Sequence, residues 1–410
     1  MHCYLFFLLF PLVLLADLLA GVGKADLTPP PGIPSAGYRN RKGAGMAGTH
    51  DPLLAIALVL DNGKQPIAFC SVDHLGFTYE MAQEVAARVK KSEGLAACEL
   101  FIGSSHTHSG GGAFLNIPIV GEMLAGRFDP EITEMYVQRT AEAIVDAWEN
   151  RVPAKAGIGY GTASGMARYR ASWPPGQIPL NGLSLIKVET AEGAPLAALF
   201  NFALHPTVLS ADNLLFSADF VGFARNALAD RIGRNVQPLY FNGAQGDIDP
   251  DLARFKRLGF TACEEIGTAL AQAAFRIWNS TAASDKLDIA VLKLPYAFEP
   301  KPNPQGLRLP VEEYKSEMGL LVLNRNHAFL AIPGELSTVY DRRFKELGKK
   351  LGYAQVSILG LTNDAHGYII LPDSWRRKTF ESNLSFGGES YGEETEQRAL
   401  FLLERLGSVP

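Results

Sequence analysis

Short apolar runs of strand length recur along the whole chain, among them PLLAIALVL, PIAFCSVD, ELFIG, LSLIKVE, PLAALFNFAL, QPLYFN, LDIAVLKL, GLLVLN, HAFLAIPG and VSILGL. Runs of this kind read as short strands. Between them lie segments of helical spacing. Thr78 to Lys91 places Met81, Val85 and Val89 on one face, and Asp129-Pro130 supplies an N-cap and a first-turn proline for a helix reaching about Asn150. Thr261 and Glu264 have the spacing of a capping box ahead of Ile266, Leu270 and Ile277. Asn62-Gly63, between two apolar runs, predicts a hairpin. Strands and helices so interspersed predict an α/β fold, a mixed β-sheet core flanked by helices, and exclude a helical bundle or an all-β sandwich. No internal repeat is visible. The proline-dense stretch KLPYAFEPKPNPQGLRLP, residues 293–310, reads as an exposed insertion in one domain because strands resume directly after it.

A chain of 410 residues, 47% hydrophobic and 20% charged, can bury a large core. Its net charge of -5, with no basic block, excludes nucleic acid as a partner, since phosphate binding needs clustered positive charge. Residues 1–20, MHCYLFFLLFPLVLLADLLA, read as an export signal, with an N-terminal membrane anchor as the alternative. The folded domain is then expected over residues 21–410, in an exported protein: secreted, periplasmic or at the cell surface. Cys70, Cys98 and Cys263 lack metal-type spacing and are expected as buried thiols.

Several apolar runs end in unusual polar residues. ELFIG leads into GSSHTHSGGG with His106 and His108, LAALFNFA into His205, LYFNGAQG into Asp247 and Asp249, AFLAIPG into Glu335, and VSILGLTNDAHG into Tyr368. In open α/β sheets, sites assemble beyond the carboxyl ends of the strands. Histidines one residue apart point to the same side of an extended chain, so both rings can address one ligand. His106, His205 and Glu335 offer two nitrogens and a carboxylate, a ligand chemistry that suits hydrolytic zinc. The alternative is a hydrogen-bonded loop without metal. Asp247 and Asp249 are candidates for proton transfer or metal support, or else form an Asx-rich turn capped by Pro250. Gly110, Gly111 and Gly112 either let backbone N–H groups approach an anionic group or simply make a turn. The apolar stretch AFLNIPIVGEMLAGRF after the pair could contact an acyl chain or pack in the core. His50, His74, His327 and His366 are assigned structural or surface places, and the elbow-like Gly388-Glu389-Ser390-Tyr391-Gly392 follows no strand and is read as coincidence.

The stretches GVGKADLTPPPGIPSAGY, HDPLLAIALVL, SHTHSGGG, NFALHPT, NGAQGDIDP, IPGELSTVYDRR and LTNDAHGYI together resemble the neutral/alkaline non-lysosomal ceramidases, in order and from about residue 20 onward. The resemblance implies one zinc ion per chain, held by His106, His205, Glu335 and Tyr368. It implies hydrolysis of N-acyl sphingosine to a fatty acid and a sphingoid base, with His108 available for proton transfer and the family's arginine at Arg168. A lipid or other N-acyl substrate is the implied partner, with peripheral membrane contact. Three departures stand out. Asp249 occupies the place of a family serine, and Phe380 that of a tyrosine serving the developing oxyanion, which leaves Tyr391 as a substitute donor. The immunoglobulin-like C-terminal domain of full-length members is not in this sequence. The expected function is zinc-dependent amide hydrolysis, most directly of ceramide; the alternatives are another amide or ester substrate, or an exported binding protein that keeps the zinc.

Overall fold

The computed structural model describes residues 17–170, 179 and 181–407. Three consecutive stretches of chain adopt one connection pattern, three strands, a helix, a fourth strand and a second helix. The first stretch contains β1 (Leu19–Asp26), β2 (Leu54–Asp61), β3 (Ile67–Val72), α1 (Tyr79–Val89), β4 (Glu99–Ser104) and α2 (Pro130–Glu149). The second contains β5 (Val152–Thr162), β6 (Gly182–Thr190), β7 (Pro195–Phe202), α3 (Phe220–Ile232), β8 (Gln237–Asn242) and α4 (Phe260–Ser280). The third contains β9 (Ile289–Phe298), β10 (Tyr314–Leu323), β11 (His327–Ala331), α5 (Thr338–Lys350), β12 (Gln355–Leu359) and α6 (Tyr391–Gly407). In each, the first three strands run antiparallel and the fourth returns parallel to the third through a helical crossover. The repetition lies in the connections and leaves no readable trace in the sequence.

The first two stretches join through β1 and β5 into one eight-stranded sheet of order β8-β7-β6-β5-β1-β2-β3-β4, and the third forms a four-stranded sheet, β9-β10-β11-β12. The two sheets stack. Ile56, Leu58, Phe69, Phe101, Leu199 and Phe241 share a core with Leu321, Phe329 and Leu359, whereas the alternate residues Ala57, Val59, Cys70 and Ile102 pack against α1 and α2. Helices α3 and α4 cover the rest of the large sheet, and α5 and α6 cover the outer face of the small one. This four-layer arrangement explains the unbroken apolar runs, since nearly every strand has a core on each face. The mixed sheet flanked by helices is therefore present, as two stacked sheets. Gly23 in β1 is needed for helix contact: a Cβ there would sit 2.1 Å from the Ala143 carbonyl oxygen of α2.

The Asn62-Gly63 turn joins antiparallel β2 and β3, Thr78 caps α1 at Met81 N, and Asp129 caps α2 at Glu131 N and Ile132 N, all as the sequence indicates. Three expectations change. The fold already includes Leu18, which is fully buried, and β1 begins at Leu19, so residues 18–20 belong to the domain and not to a leader ending at 20; residues 1–16 lie outside the described residues. The Thr261–Glu264 box does not form, because α4 starts at Phe260 from Gly259, whose φ of 69° favours glycine. The proline-rich excursion is shorter than expected: β9 continues to Phe298, which pairs with Tyr314, and the chain leaves the sheet only between them. Cys70, Cys98 and Cys263 are buried and unpaired. Among the described residues, no helix is long and apolar enough to cross a membrane.

Candidate metal centre

The site forms where the three stretches meet, beyond the ends of β4, β7, β11 and β12. Past β4 the chain is tied to the neighbouring segment after β3, through Ser105 N to the Val72 carbonyl and His106 N to the His74 carbonyl, both at 2.9 Å. His106 takes a left-handed backbone, φ 72°, which is uncommon for a residue with a Cβ and marks a conformation imposed by its surroundings. Buried Asn242, at the end of β8, fastens this loop to the one after β7 by donating from Nδ2 to the carbonyls of Ser105 and Leu204, each at 3.1 Å. Glu335 and Tyr368 face each other in a short parallel pair.

Candidate ligand atoms of His106, His108 and His205 all lie within 4.8 Å of one another. The Glu335 Oε2 atom is 3.3 Å from His106 Nε2 and 3.8 Å from His205 Nε2, and His205 Nε2 is 3.3 Å from His108 Nε2. Ligands ~2.0–2.1 Å from a tetrahedral ion would be about 3.3–3.4 Å apart, so these separations fit a shared cation. Glu335 Oε2 is buried and has no hydrogen-bond partner among the described residues. An uncompensated carboxylate oxygen facing imidazole nitrogens is costly alone and satisfied by a cation.

The protonation states agree with that fit. Burial, reinforced by neighbouring positive charge from Arg170 and His106, drives the His205 pKa well below the usual imidazole range. Burial, then His106 and Arg170, does the same to His108. Burial also holds the Tyr368 phenol neutral, well above its usual range. His106 Nδ1 lies 2.6 Å from the Leu75 carbonyl, which fixes the tautomer with Nε2 free. His205 Nδ1 lies 3.4 Å from the Gln245 carbonyl, which can only accept, and 3.1 Å from Arg170 Nη2, which can only donate, so the two contacts favour opposite tautomers. His108 differs: its buried Nδ1 has no partner among the described residues, so it lacks the orienting bond that metal-bound histidines usually make.

Arg170 is the residue that sequence reasoning missed. Its Nε donates to Asp249 Oδ1 at 2.9 Å, and its Nη1 donates to the Gly246 carbonyl at 2.8 Å and to the Tyr368 hydroxyl at 3.1 Å. Burial opposes its charge, but Tyr368, Asp249 and Glu335 more than offset this and hold its pKa above the usual arginine range. Arg168, expected in this role, is exposed and lines the same cavity without an ion-pair partner among the described residues. The two arginines are two apart on an extended segment, so both face the cavity while Tyr169 turns to the core; spacing alone does not choose between them.

Other expected site residues are placed elsewhere. Asp247 is buried away from the imidazoles, accepting from Ser337 Oγ at 2.6 Å and Thr338 N at 3.1 Å, so it anchors the start of α5 beside Glu335 and is not poised for proton transfer. Asp249 lines the cavity, where it serves Arg170. Gly110 and Gly111 do not line the cavity: a Cβ on Gly111 would meet the Tyr136 hydroxyl at 2.0 Å, and one on Gly110 would meet Thr107 Cγ2 at 3.0 Å, so both glycines serve close packing. Tyr391 is also outside the cavity lining, with its hydroxyl 2.9 Å from both Tyr296 Oη and His366 Nε2. It cannot replace the missing tyrosine at Phe380, whose 63% exposed ring lies at the cavity wall. His366, expected to be structural or superficial, does line the cavity.

That cavity encloses about 610 Å³ and runs from the histidines along an apolar wall that includes Phe114, Leu115, Ile117, Val120, Leu124 and Phe386. The stretch after the histidine pair therefore supplies much of the wall. A polar cluster at one end of a mostly apolar cleft is the usual form of a small-molecule site.

A family model described as neutral/alkaline non-lysosomal ceramidase, N-terminal, matches residues 18–253, a span that contains the histidine pair, Arg170, His205 and Asp249 but not Glu335 or Tyr368. Among solved structures, neutral ceramidase from Pseudomonas aeruginosa superposes with a TM-score of 0.84 at 17% identity, over 96% of this chain and 75% of that one. A ceramidase complexed with C2 gives a TM-score of 0.84 at 16% identity, over 95% and 75%. At these identities, the likeness establishes a shared fold.

Proposed function

Because the chain belongs to the neutral/alkaline non-lysosomal ceramidase family, we propose that it is a zinc-dependent amide hydrolase that cleaves an N-acyl sphingoid lipid to a fatty acid and an amine. The observation that carries this reading is the meeting of imidazoles and a buried carboxylate oxygen, without a hydrogen-bond partner among the described residues, at the end of an apolar cavity. His106, His205, Glu335 and Tyr368 would hold the ion. Bound there, zinc supplies Lewis-acid polarisation of the carbonyl and a nucleophile from water at neutral pH.

The remaining roles follow from the side chains. The Leu75 carbonyl sets the tautomer of His106, and Arg170 holds Tyr368 and Asp249 beside the centre. His108, neutral and with Nε2 turned to the centre, is suited to carry a proton from the attacking water to the departing nitrogen, so that hydroxyl adds to carbon and hydrogen to the amine. The apolar wall takes the acyl chain and excludes water. Export and peripheral contact with a lipid surface, which would bring the enzyme to its substrate, complete the proposal.

The departure at Phe380 favours a second reading, in which the same centre cleaves a different amide or an ester whose transition state needs no phenol donor. A substrate panel separates the two. Chelator-sensitive release of fatty acid from a long-chain N-acyl sphingosine supports the first, whereas turnover confined to short soluble amides or esters supports the second. Lack of hydrolysis of every substrate by zinc-loaded protein would rule out both.

A further inference from the structure

The loop from Ser35 to Arg41 grips one member of the centre, His108, from several sides. Arg41 Nη1 donates to the His108 carbonyl at 2.5 Å, and Ser35 Oγ donates to the same oxygen at 3.0 Å. Arg41 Nη1 also donates to Ser35 Oγ at 2.9 Å, its Nε to the Ala211 carbonyl at 3.1 Å, and its Nη2 to the Ser210 carbonyl at 3.3 Å. The imidazole itself rests against Gly37, where a Cβ would come within 2.5 Å of Nδ1, and against the Tyr38 ring, with centroids 4.8 Å apart. Gly37 has a φ of 102°, so only glycine brings the backbone this close without strain. Tyr38 is in turn fixed by donating to the Leu209 carbonyl at 2.9 Å.

Arg41 is 6% exposed and has no carboxylate partner among the described residues; its acceptors are carbonyl and hydroxyl oxygens. Burying a guanidinium without a counterion is unfavourable, and an apolar side chain would fill the space at lower cost, so stability alone is a poor reason for it. What Arg41 does that no apolar residue could do is tie its own loop and the Ser210–Ala211 segment to the His108 carbonyl. His108 needs such a tie because its Nδ1 makes no orienting bond of its own among the described residues. We infer that Arg41, with Ser35, is a positioning residue for His108, setting where its Nε2 points without touching substrate or metal. The inference rests on the proposed reading of His108 as the proton-transfer group.

The test uses zinc-loaded full chain. In Arg41→Gln, kcat should fall on the order of 10- to 100-fold, the range that small misplacements of a reacting group produce, with KM and zinc content changed less than about two-fold. Ser35→Ala, the milder change, should lower kcat about three-fold, and Arg41→Lys should recover part of the loss. In a His108→Gln background, Arg41→Gln should cost nothing further, because groups acting through one side chain are not additive. Imidazole 1H–15N spectra supply a readout independent of turnover: the His108 signals, identified by their loss in His108→Gln, should shift or broaden in Arg41→Gln while those of His106 and His205 stay. Unchanged His108 signals, or additive losses in the double variant, would overturn the inference. An inactive parent would refute the hydrolase reading, and the spectra would still decide the positioning role.

Discussion

Arg170 and Asp249 are joined by a 2.9 Å bond from Nε to Oδ1 at the wall of the cavity. This pair changes the meaning of an acid at a position where the resemblance implies a serine: the carboxylate is partnered, and it steadies an arginine that reaches Tyr368 and His205. Asp249→Ser should therefore leave activity within about ten-fold of the parent and lower stability by about 1 kcal/mol, since the pair is part-exposed. Urea midpoints and kcat/KM check both. A loss beyond a hundred-fold would instead make Asp249 a reacting group.

The two neighbouring arginines should separate cleanly. Arg170→Gln breaks contacts to Asp249, Tyr368 and the Gly246 carbonyl, and kcat/KM should drop about 100-fold or more. Arg168→Gln removes an exposed side chain and should cost less than about three-fold. Equal losses in side-by-side kinetics would contradict the placement.

Ligand and proton carrier should differ in metal content. His106→Ala and His205→Ala should purify nearly free of zinc, while His108→Gln should keep about one ion per chain and lose activity. Elemental analysis of the three variants decides the matter, and a zinc-free His108→Gln would make His108 a ligand.

Stability should depend on the Arg225–Asp73 pair, which joins α3 of the second stretch to the end of β3 in the first. Asp73 is fully buried and Arg225 nearly so, with Nη1 3.0 Å from Oδ1. Removing one partner strands the other, so Arg225→Met should cost about 3–5 kcal/mol by urea unfolding. A cost below 1 kcal/mol would show that the charge finds another partner.

A pH effect is expected from Asp364. Burial raises its pKa to about 7, despite hydrogen bonds from Ser316, Ala365 and Tyr314. The folded state therefore holds this proton more tightly than the unfolded chain does. The stability it contributes is fully present below the ordinary value of 3.8 and is lost as pH rises through about 7. Asp364→Asn should flatten the fall in stability across that window, by an amount on the order of a few kcal/mol. Parallel slopes for metal-free parent and variant would refute it.

The sequence by itself determined every strand of the two sheets except β1 and β5, the starts of α1 and α2, the mixed α/β class and the polar residues that follow several strands, because each depends on local pattern. Doubly buried strands must be apolar throughout, caps such as Thr78 and Asp129 act within one turn, and polar residues following β4, β7, β11 and β12 stand out against those runs. Tertiary structure alone decided that two sheets stack, that three stretches share one topology, that Arg170 and not Arg168 meets Tyr368, and that Asp247 caps a helix while Gly111 packs on Tyr136. These outcomes depend on which distant atoms arrive within about 3 Å of a side chain, and that distance is set by the packing of whole layers.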